Sequence, residues 1–280
     1  MFPSSIVITD LEGNITYVNP RFSSLTGYSF EEAIGQTPRI LKSDHTPPEE
    51  YRKLWLTISS GKIWKGEFLN RKKNGDLYWE QATIAPVLGQ DGTILNYLAI
   101  KEEITEQKKM AAELKLLATT DPLTGAINRR ELIQRAESEL ERARRYEHPT
   151  SAIMLDIDNF KMVNDTYGHP TGDKVLVSLA RLLTQAVRAS DLVARYGGEE
   201  FMLILPETPL EQARGIAERI RCAVADTPVM VDDQTIRFTV SLGVTSSESV
   251  GQDFEALLKA ADKLLYQAKQ SGRNRVVSHS

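Results

Sequence analysis

The chain of 280 residues contains a single cysteine, Cys222, so no disulfide can form within it and a thiol-based metal site lacks its ligands. It has no long apolar run. The longest obvious block, Phe201 to Leu205, is far too short to cross a bilayer. It has no excess of positive charge: 34 Lys and Arg against 38 Asp and Glu leave a net charge of −4. That balance gives no footprint for duplex DNA or an anionic membrane, so basic residues are read locally, as partners of phosphates or carboxylates. Met1-Phe2-Pro3-Ser4-Ser5 lacks the basic and apolar regions of a secretory leader. Repeats and low-complexity stretches are missing as well. These absences predict a reduced, cytoplasmic protein. The abrupt start inside an apparent strand at Ser5 suggests a trimmed piece of a longer chain. The rest of the composition is ordinary. The hydrophobic fraction is 41%, about 47% with glycine, and the length suits two domains.

The pattern changes twice along the chain. Residues 5–104 predict a small α+β domain, with strands at Ile6 to Ile8 and Ile15 to Val18 around a Glu12-Gly13-Asn14 turn. Ser29-x-x-Glu32 and Thr46-x-x-Glu49 both read as capping boxes, the second with Pro47 at the first helical position. Three extended segments follow, Trp64 to Arg71, Leu77 to Val87 and Thr93 to Ile104. Asn74-Gly75 and Asp91-Gly92 in their connections predict hairpins. Residues 105–120 form a helical linker, with Ile104, Ala111, Leu114, Leu117 and Ala118 near one apolar seam. Residues 121–280 alternate helix and strand, which predicts a sheet covered by helices. The helices are expected over Arg129 to Tyr146, Asn159 to Tyr167, Asp173 to Ala189, Leu210 to Ala225 and Phe254 to Gln270. The strands are expected over Thr150 to Ile157, Ile236 to Val244 and Asn274 to Val277, with a hairpin across Gly197-Gly198.

Two segments of this last part concentrate chemistry. Asp156-Ile157-Asp158-Asn159-Phe160-Lys161 closes an apolar strand, and carboxylates at the C-terminal edge of a strand lie where open α/β sheets bind ligands. Hard oxygens there suit Mg²⁺, which takes one or two carboxylates and completes its shell with phosphate. In Arg195-Tyr196-Gly197-Gly198-Glu199-Glu200-Phe201, the glycine pair reads as a two-residue turn whose bare backbone a ligand can approach. Alternation sends Glu199 and Glu200 to opposite faces and so to different roles. Taken singly, an acidic strand end is more often a solvated boundary, and a Gly-Gly pair more often a plain turn. Together they supply carboxylates that could share one metal.

Residues 119–278 resemble the GGDEF family of diguanylate cyclases. The resemblance rests on Asp121-Pro122-Leu123-Thr124-Gly125, Asp156-Ile157-Asp158-Asn159-Phe160-Lys161 and Asn164-Asp165-x-x-Gly168-His169-x-x-Gly172-Asp173. It continues in the signature Gly197-Gly198-Glu199-Glu200-Phe201, in Ser241-Leu242-Gly243-Val244 and in Ala260 to Asn274. It implies a nucleotidyl-cyclase-like domain with a ferredoxin-like core, acting on GTP. By the resemblance, Asp156, Glu199 and the Ile157 carbonyl hold two Mg²⁺ per site, with Mn²⁺ as a substitute. Asn164 and Asp173 read guanine, and His169 lines the nucleotide pocket. Phe160 (by its backbone), Lys161, Lys269 and Arg273 serve the phosphates, and Gly197 and Gly198 lie against substrate. Glu199 helps remove the 3′-hydroxyl proton; Glu200 belongs to the signature without a step of its own. Joining two GTP into cyclic di-GMP requires two domains face to face, hence a homodimer. Arg188-x-x-Asp191 resembles the family's product-inhibition motif, with Arg219 as a secondary arm from a neighbouring domain. A helix-end ion pair is the plainer reading of that motif. The alternative from another class is a catalytically silent receptor for GTP or cyclic di-GMP.

Residues 5–106 resemble a PAS sensory domain, an antiparallel sheet with flanking helices. The matching features include Ile8-Thr9-Asp10-x-x-Gly13-Asn14, Phe22-x-x-Leu25-Thr26-Gly27-Tyr28, Gly75-x-x-Tyr78-Trp79 and Ile104-Thr105-Glu106. The whole chain is then a PAS domain (1–104), a helical linker (105–120) and a cyclase domain (121–280). A flavin–thiol photosensor needs a cysteine that this half lacks, and haem would have only His45. Non-covalent FAD, with Trp64 stacked on the ring and Asn70 on its polar edge, stands beside an empty or dimerising PAS. Trp64 and Phe68 as plain sheet-packing aromatics is the alternative. The linker would couple the halves by shifting helix register.

Overall fold

The computed structural model describes residues 4–231 and 234–279, so the Met1-Phe2-Pro3 part of the leader reading lies outside the described residues. The chain divides into two compact units, Met1–Glu113 and Leu114–Ser280.

In the first unit, β1 (Ser5–Thr9), β2 (Ile15–Val18), β3 (Trp64–Arg71), β4 (Leu77–Leu88) and β5 (Ile94–Glu103) form one antiparallel sheet ordered β2-β1-β5-β4-β3. Between β2 and β3 lie α1 (Pro20–Thr26), α2 (Phe30–Ala33), a 3₁₀ turn at Pro38–Leu41 and α3 (Pro48–Ser59). Asn19 starts α1: its carboxamide oxygen accepts from the N–H groups of Phe22 and Ile6, tying the helix to β1. Ser29 and Glu32 close the expected capping box of α2. The second expected box does not form. The helix begins one residue later than the sequence suggests, at Pro48 with Pro47 as its cap, and no side chain caps it. Two stacked prolines fix extended backbone ahead of the helix and leave Thr46 outside it.

The linker helix α4 (Thr105–Thr119) has no buried residue, and Met110, Leu114 and Leu117 stand exposed at four- and three-residue spacing. Ile104, counted in its seam above, is instead buried in the first unit, where its N–H donates to the Trp79 carbonyl.

In the second unit a six-stranded sheet runs β13-β12-β7-β9-β8-β6. The strands are β6 (Ile127–Asn128), β7 (Thr150–Ile157), β8 (Leu192–Gly197), β9 (Glu200–Pro206), β12 (Val240–Ser246) and β13 (Val276–Ser278). A separate ribbon pairs β10 (Val229–Val231) with β11 (Gln234–Ile236), so the single strand expected over Ile236 to Val244 is two. Period-two alternation explains the layers. From the fully buried β7, Ile153, Leu155 and Ile157 enter a core with α7 (His169–Ala186) and α8 (Leu210–Asp226). Ala152 and Met154 enter a second core with α5 (Arg129–Tyr146) and, after the one-turn α9 (Ser247–Val250), α10 (Phe254–Gln270). Gly243 on β12 allows α10 to pack on bare backbone: a Cβ there would lie 2.2 Å from the Ala261 carbonyl oxygen. The short α6 (Phe160–Tyr167) leads into α7, which starts at His169 rather than Asp173. Gly168, at φ 83°, separates the two helices, and Pro170 sits in the first turn of the second.

Candidate active site

The strand order brings the expected carboxylates together. Asp156, second-last in β7, pairs in register with Glu200 of β9 on one side and Ser241 of β12 on the other. Asp156 is buried, and its Oδ2 lies 2.8 Å from the Lys269 ammonium at the end of α10. Burial pushes the Asp156 carboxyl up to about 6. Lys269 opposes that rise, and the charges of Glu199 and Glu200 add to it. At this end of the central strands the Asp156 carboxylate is thus disfavoured mainly by its burial, with Lys269 as a partial offset and Glu199 and Glu200 as smaller additions.

The turn beside them is shifted by one residue from the sequence reading. Gly197 ends β8 and pairs with Glu200, so the two-residue loop is Gly198-Glu199. Gly198 has φ 53°, the left-handed conformation that primed hairpin turns place on glycine, and Glu199 stands at the tip. Gly197 differs. Its φ is ordinary and a Cβ there would meet open space, so no contact within the chain demands glycine.

Two residues that sequence reasoning quoted without a role hold this turn. Arg195 donates from Nε to the Gly198 carbonyl at 2.8 Å and from Nη1 to both Asp121 oxygens at 3.1 and 3.2 Å. Burial alone would raise the Asp121 carboxyl, but hydrogen bonds from Thr124 and Arg195 hold it below the usual range. The Asp121-to-Gly125 turn is thereby tied to the signature loop.

The guanine candidates lie on α6 and the first turn of α7. Asn164 is half-buried, and its carboxamide occupies the space beside Gly172: a Cβ at Gly172 would fall 1.9 Å from Asn164 Oδ1. Asp173, next in the chain, is exposed, as is His169. Asn159 precedes α6 in left-handed conformation, φ 55°, with no side-chain cap. The first N–H groups of α6, at Phe160 and Lys161, are the ones a helix leaves without an internal acceptor. Lys161 and Arg273 are exposed and, among the described residues, neither is in an ion pair.

Asp158 behaves unlike Asp156. Its carboxylate accepts from Thr239 Oγ1 at 2.7 Å, Ser241 Oγ at 2.6 Å and the Asn274 N–H at 3.0 Å. The strand end thus carries one buried acid paired with a lysine and one hydrogen-bonded into the scaffold.

At the far end of α7, the Asp191 carboxylate accepts from the Arg188 backbone N–H at 2.8 Å, closing a turn rather than a helix-end ion pair. Arg219 donates to the Ala186 carbonyl at 2.8 Å, so its guanidinium lies in the same chain at the end of the helix leading to Arg188. A cavity of about 410 Å³ beside this turn is lined by Ile127, Thr184, Val187, Arg188 and Asp191 among others.

The first unit holds a cavity of about 890 Å³ between α3, the Pro38–Leu41 turn and the sheet. Leu54, Trp55, Ile58, Phe68 and Tyr97 line it, together with Arg39, Lys42, Arg52, Asn70 and Lys101. Lys101 is buried and paired with Glu80 at 2.6 Å, and Asn70 donates to the same carboxylate at 2.8 Å. Among the described residues Arg39, Lys42 and Arg52 make no ion pair. Trp64 does not line this space. Its ring stacks on Phe68 at 5.0 Å and lies over Gly66, a sheet-packing role. His45 is exposed and does not line it either.

Comparison with known proteins agrees with this division. The family model described as "Diguanylate cyclase, GGDEF domain" matches residues 118–275, and a PAS domain model matches residues 3–106. The response regulator PleD of Caulobacter vibrioides is 49% identical over 163 residues, which cover 58% of this chain and 36% of that protein. The diguanylate cyclase DgcM of Escherichia coli is 42% identical over 181 residues, 65% of this chain and 43% of its own length. The chain therefore spans well under half the length of these curated relatives. The crystal structure of the coiled coil and GGDEF domain of DgcB from Caulobacter crescentus in complex with c-di-GMP superposes with a TM-score of 0.58. It is 28% identical and covers 63% of this chain and 93% of that one. Among the described residues no helix is long and apolar enough to cross a membrane.

Proposed function

We propose that this chain, which belongs to the GGDEF family of diguanylate cyclases, condenses two GTP into cyclic di-GMP and two pyrophosphates under control of its PAS domain. The observation that carries this reading is the buried Asp156 carboxyl, pushed up to about 6 at an end of the central strands shared with Glu199, Glu200 and Lys269.

A buried carboxylate with two further acids nearby gains from a divalent cation that offsets its lost hydration, so the residues fit Mg²⁺ or Mn²⁺. No three His, Cys, Asp or Glu side chains among the described residues converge on one metal position. That suits a cation completed by substrate phosphate rather than a protein cage. Asp156, Glu199 and the Ile157 carbonyl would hold it. When bound, it supplies charge neutralisation on the triphosphate and polarises the phosphorus under attack. Asn164 and Asp173 grip the guanine edge, while Lys161, Lys269, Arg273 and the Phe160 N–H take the phosphates. Glu199 accepts the proton as the 3′-oxygen bonds to the α-phosphorus of the other GTP. The α–β phosphoanhydride breaks and pyrophosphate leaves. Each site holds one GTP, so two chains face each other as a homodimer and the step occurs twice.

Arg188 and Asp191 bind the product and hold the domains apart, with Arg219 as the second arm. Replacing Arg188→Ala should leave initial rates unchanged and remove inhibition by added cyclic di-GMP, read as rate against product concentration. Undiminished inhibition would reject the site.

The PAS cavity takes the signal. A ligand with an apolar body and an anionic end suits aromatic walls and the cations of Arg39, Lys42 and Arg52, which make no ion pair among the described residues. FAD satisfies that description through its ring and diphosphate, with Asn70 at the cavity wall; the Trp64 contact expected from sequence has no support. Gently purified protein should then carry a flavin absorption band, and its absence would turn the assignment to another organic anion. Signal would pass through residues 105–120 to the cyclase pair. The founding test is incubation of the full chain with GTP and Mg²⁺, followed by detection of cyclic di-GMP. A protein that binds GTP without forming product would overturn the enzyme reading.

A further inference from the structure

The segment after α10 carries Arg273 through three consecutive left-handed residues, Gly272 at φ 114°, Arg273 at 61° and Asn274 at 44°. Two of these are not glycine, and such backbone persists only where its surroundings fix it. Two clamps do so from opposite sides. From inside, the buried Asp158 carboxylate accepts the Asn274 N–H while also accepting from Thr239 and Ser241. From outside, Arg221 of α8, itself held by Glu218, donates to Asn274 Oδ1 at 2.8 Å. The Arg273 N–H returns to the Ala268 carbonyl of α10 at 3.1 Å. Resting on the reading of Arg273 as a phosphate-binding residue, we propose that Asp158 is a positioning residue. It presents Arg273 to the triphosphate by fixing the Asn274 peptide, with Arg221 as the second clamp, and does not itself ligate metal.

The chemistry separates these roles. An asparagine at 158 can still accept the Asn274 N–H and the Thr239 hydroxyl at its oxygen, while the Ser241 hydroxyl rotates to accept from the new amide. An alanine can do none of this. A metal ligand would show the opposite tolerance, because the amide loses the charge.

The test measures affinity of the full chain, with Mg²⁺, for GMP and for the non-hydrolysable α,β-methylene analogue of GTP. In Asp158→Ala the analogue should bind about tenfold more weakly, the loss of one charge-assisted phosphate contact. GMP, held by its base, should be unchanged. Asp158→Asn should restore most of the loss, and Asp158→Ala combined with Arg273→Ala should be no worse than Arg273→Ala alone. Arg221→Ala, outside the buried cluster, should lower the analogue-to-GMP ratio in the same direction even if Asp158→Ala fails to fold. An unchanged ratio in Arg221→Ala and Asp158→Ala, an asparagine as damaging as alanine, or additive losses in the double variant would each overturn the proposal. Arg273→Ala alone reports on the underlying site: if it leaves the ratio intact, the phosphate role of Arg273 is wrong, and the positioning role falls with it.

Discussion

Asp156→Asn should lower cyclic di-GMP formation by about 10³-fold, the rate equivalent of losing several kcal/mol of transition-state stabilisation at a metal-held phosphoryl group. The same residue should set the acid limb of the wild-type pH profile. Burial, reinforced by Glu199 and Glu200 and opposed by Lys269, lifts its carboxyl to about 6. Below that pH the carboxyl carries a proton and cannot hold a cation, so activity at low Mg²⁺ should rise as pH passes 6. Raising Mg²⁺ should move the midpoint to lower pH, because cation and proton compete for one group. Stability runs the other way. The folded-state value lies above the ordinary 3.8, so the group's favourable contribution is complete below 3.8 and is lost as pH rises through about 6. In metal-free buffer at pH 7, Asp156→Asn should therefore melt no lower than wild type. A variant that is inactive because it is unfolded would show a depressed melting temperature. A wild-type profile flat from pH 5 to 8 at limiting Mg²⁺ would reject Asp156 as the titrating ligand. Glu199→Gln should be equally inactive without shifting that stability balance in the same way, because Glu199 stands at the turn tip rather than in the buried strand.

The contrast between Asp156 and Asp158 marks what could be read from sequence. β7 was legible from Thr150 to Ile157 because eight consecutive buried positions need no knowledge of partners. Its acids were legible as a pair, but not as different in kind. Asp158 is assigned to the scaffold by Thr239, Ser241 and Asn274, which lie 81, 83 and 116 residues away in the chain. No local pattern encodes such contacts. The same limit explains Arg195, whose partner Asp121 is 74 residues earlier. Element ends depart from the sequence pattern for a different reason. Gly197-Gly198 reads as a turn, yet the register that pairs Gly197 with Glu200 moves the loop to Gly198-Glu199. That shift puts Glu199, rather than a glycine, at the tip. The start of α7 is not legible from periodicity because its first turn, His169 to Gly172, is not apolar and adds nothing to the helical period; the Gly168 break and Pro170 mark the start instead. In the PAS half the strands were legible to within a residue or so, but the facing of Trp64 was not. Only the fold shows its ring lying along its own strand over Gly66 and Phe68.

Gly172→Ala should leave the protein folded and active on paper, yet raise the KM for GTP about 10-fold to 100-fold and erode its preference over ATP, the cost of about 1.5 to 3 kcal/mol of hydrogen bonding. Gly172 lies in the first turn of α7 with ordinary helical φ, where alanine is the better helix former by about 1 kcal/mol. The new methyl has little room, however: its carbon would fall 1.9 Å from Asn164 Oδ1, 3.0 Å from Asn164 Cγ and 3.2 Å from Phe160 Cζ. The Phe160 contact needs only a small adjustment. The Asn164 contact requires the carboxamide to leave, and it is the freely rotating end of a side chain, so it can. The helix therefore tolerates the substitution while the Asn164 amide, proposed to read guanine, is displaced. A site built to hydrogen-bond its substrate discriminates sharply only while those partners are in place. Asn164→Ala should reproduce the loss, and the double variant should be no worse than Asn164→Ala, because both changes remove one interaction. Thermal melting should separate this from a packing defect, since Gly172→Ala is expected to melt within a few degrees of wild type. If Asn164→Ala relaxes guanine preference and Gly172→Ala does not, the carboxamide finds its place without the cleft that Gly172 leaves. If neither variant alters the preference, Asn164 does not read the base.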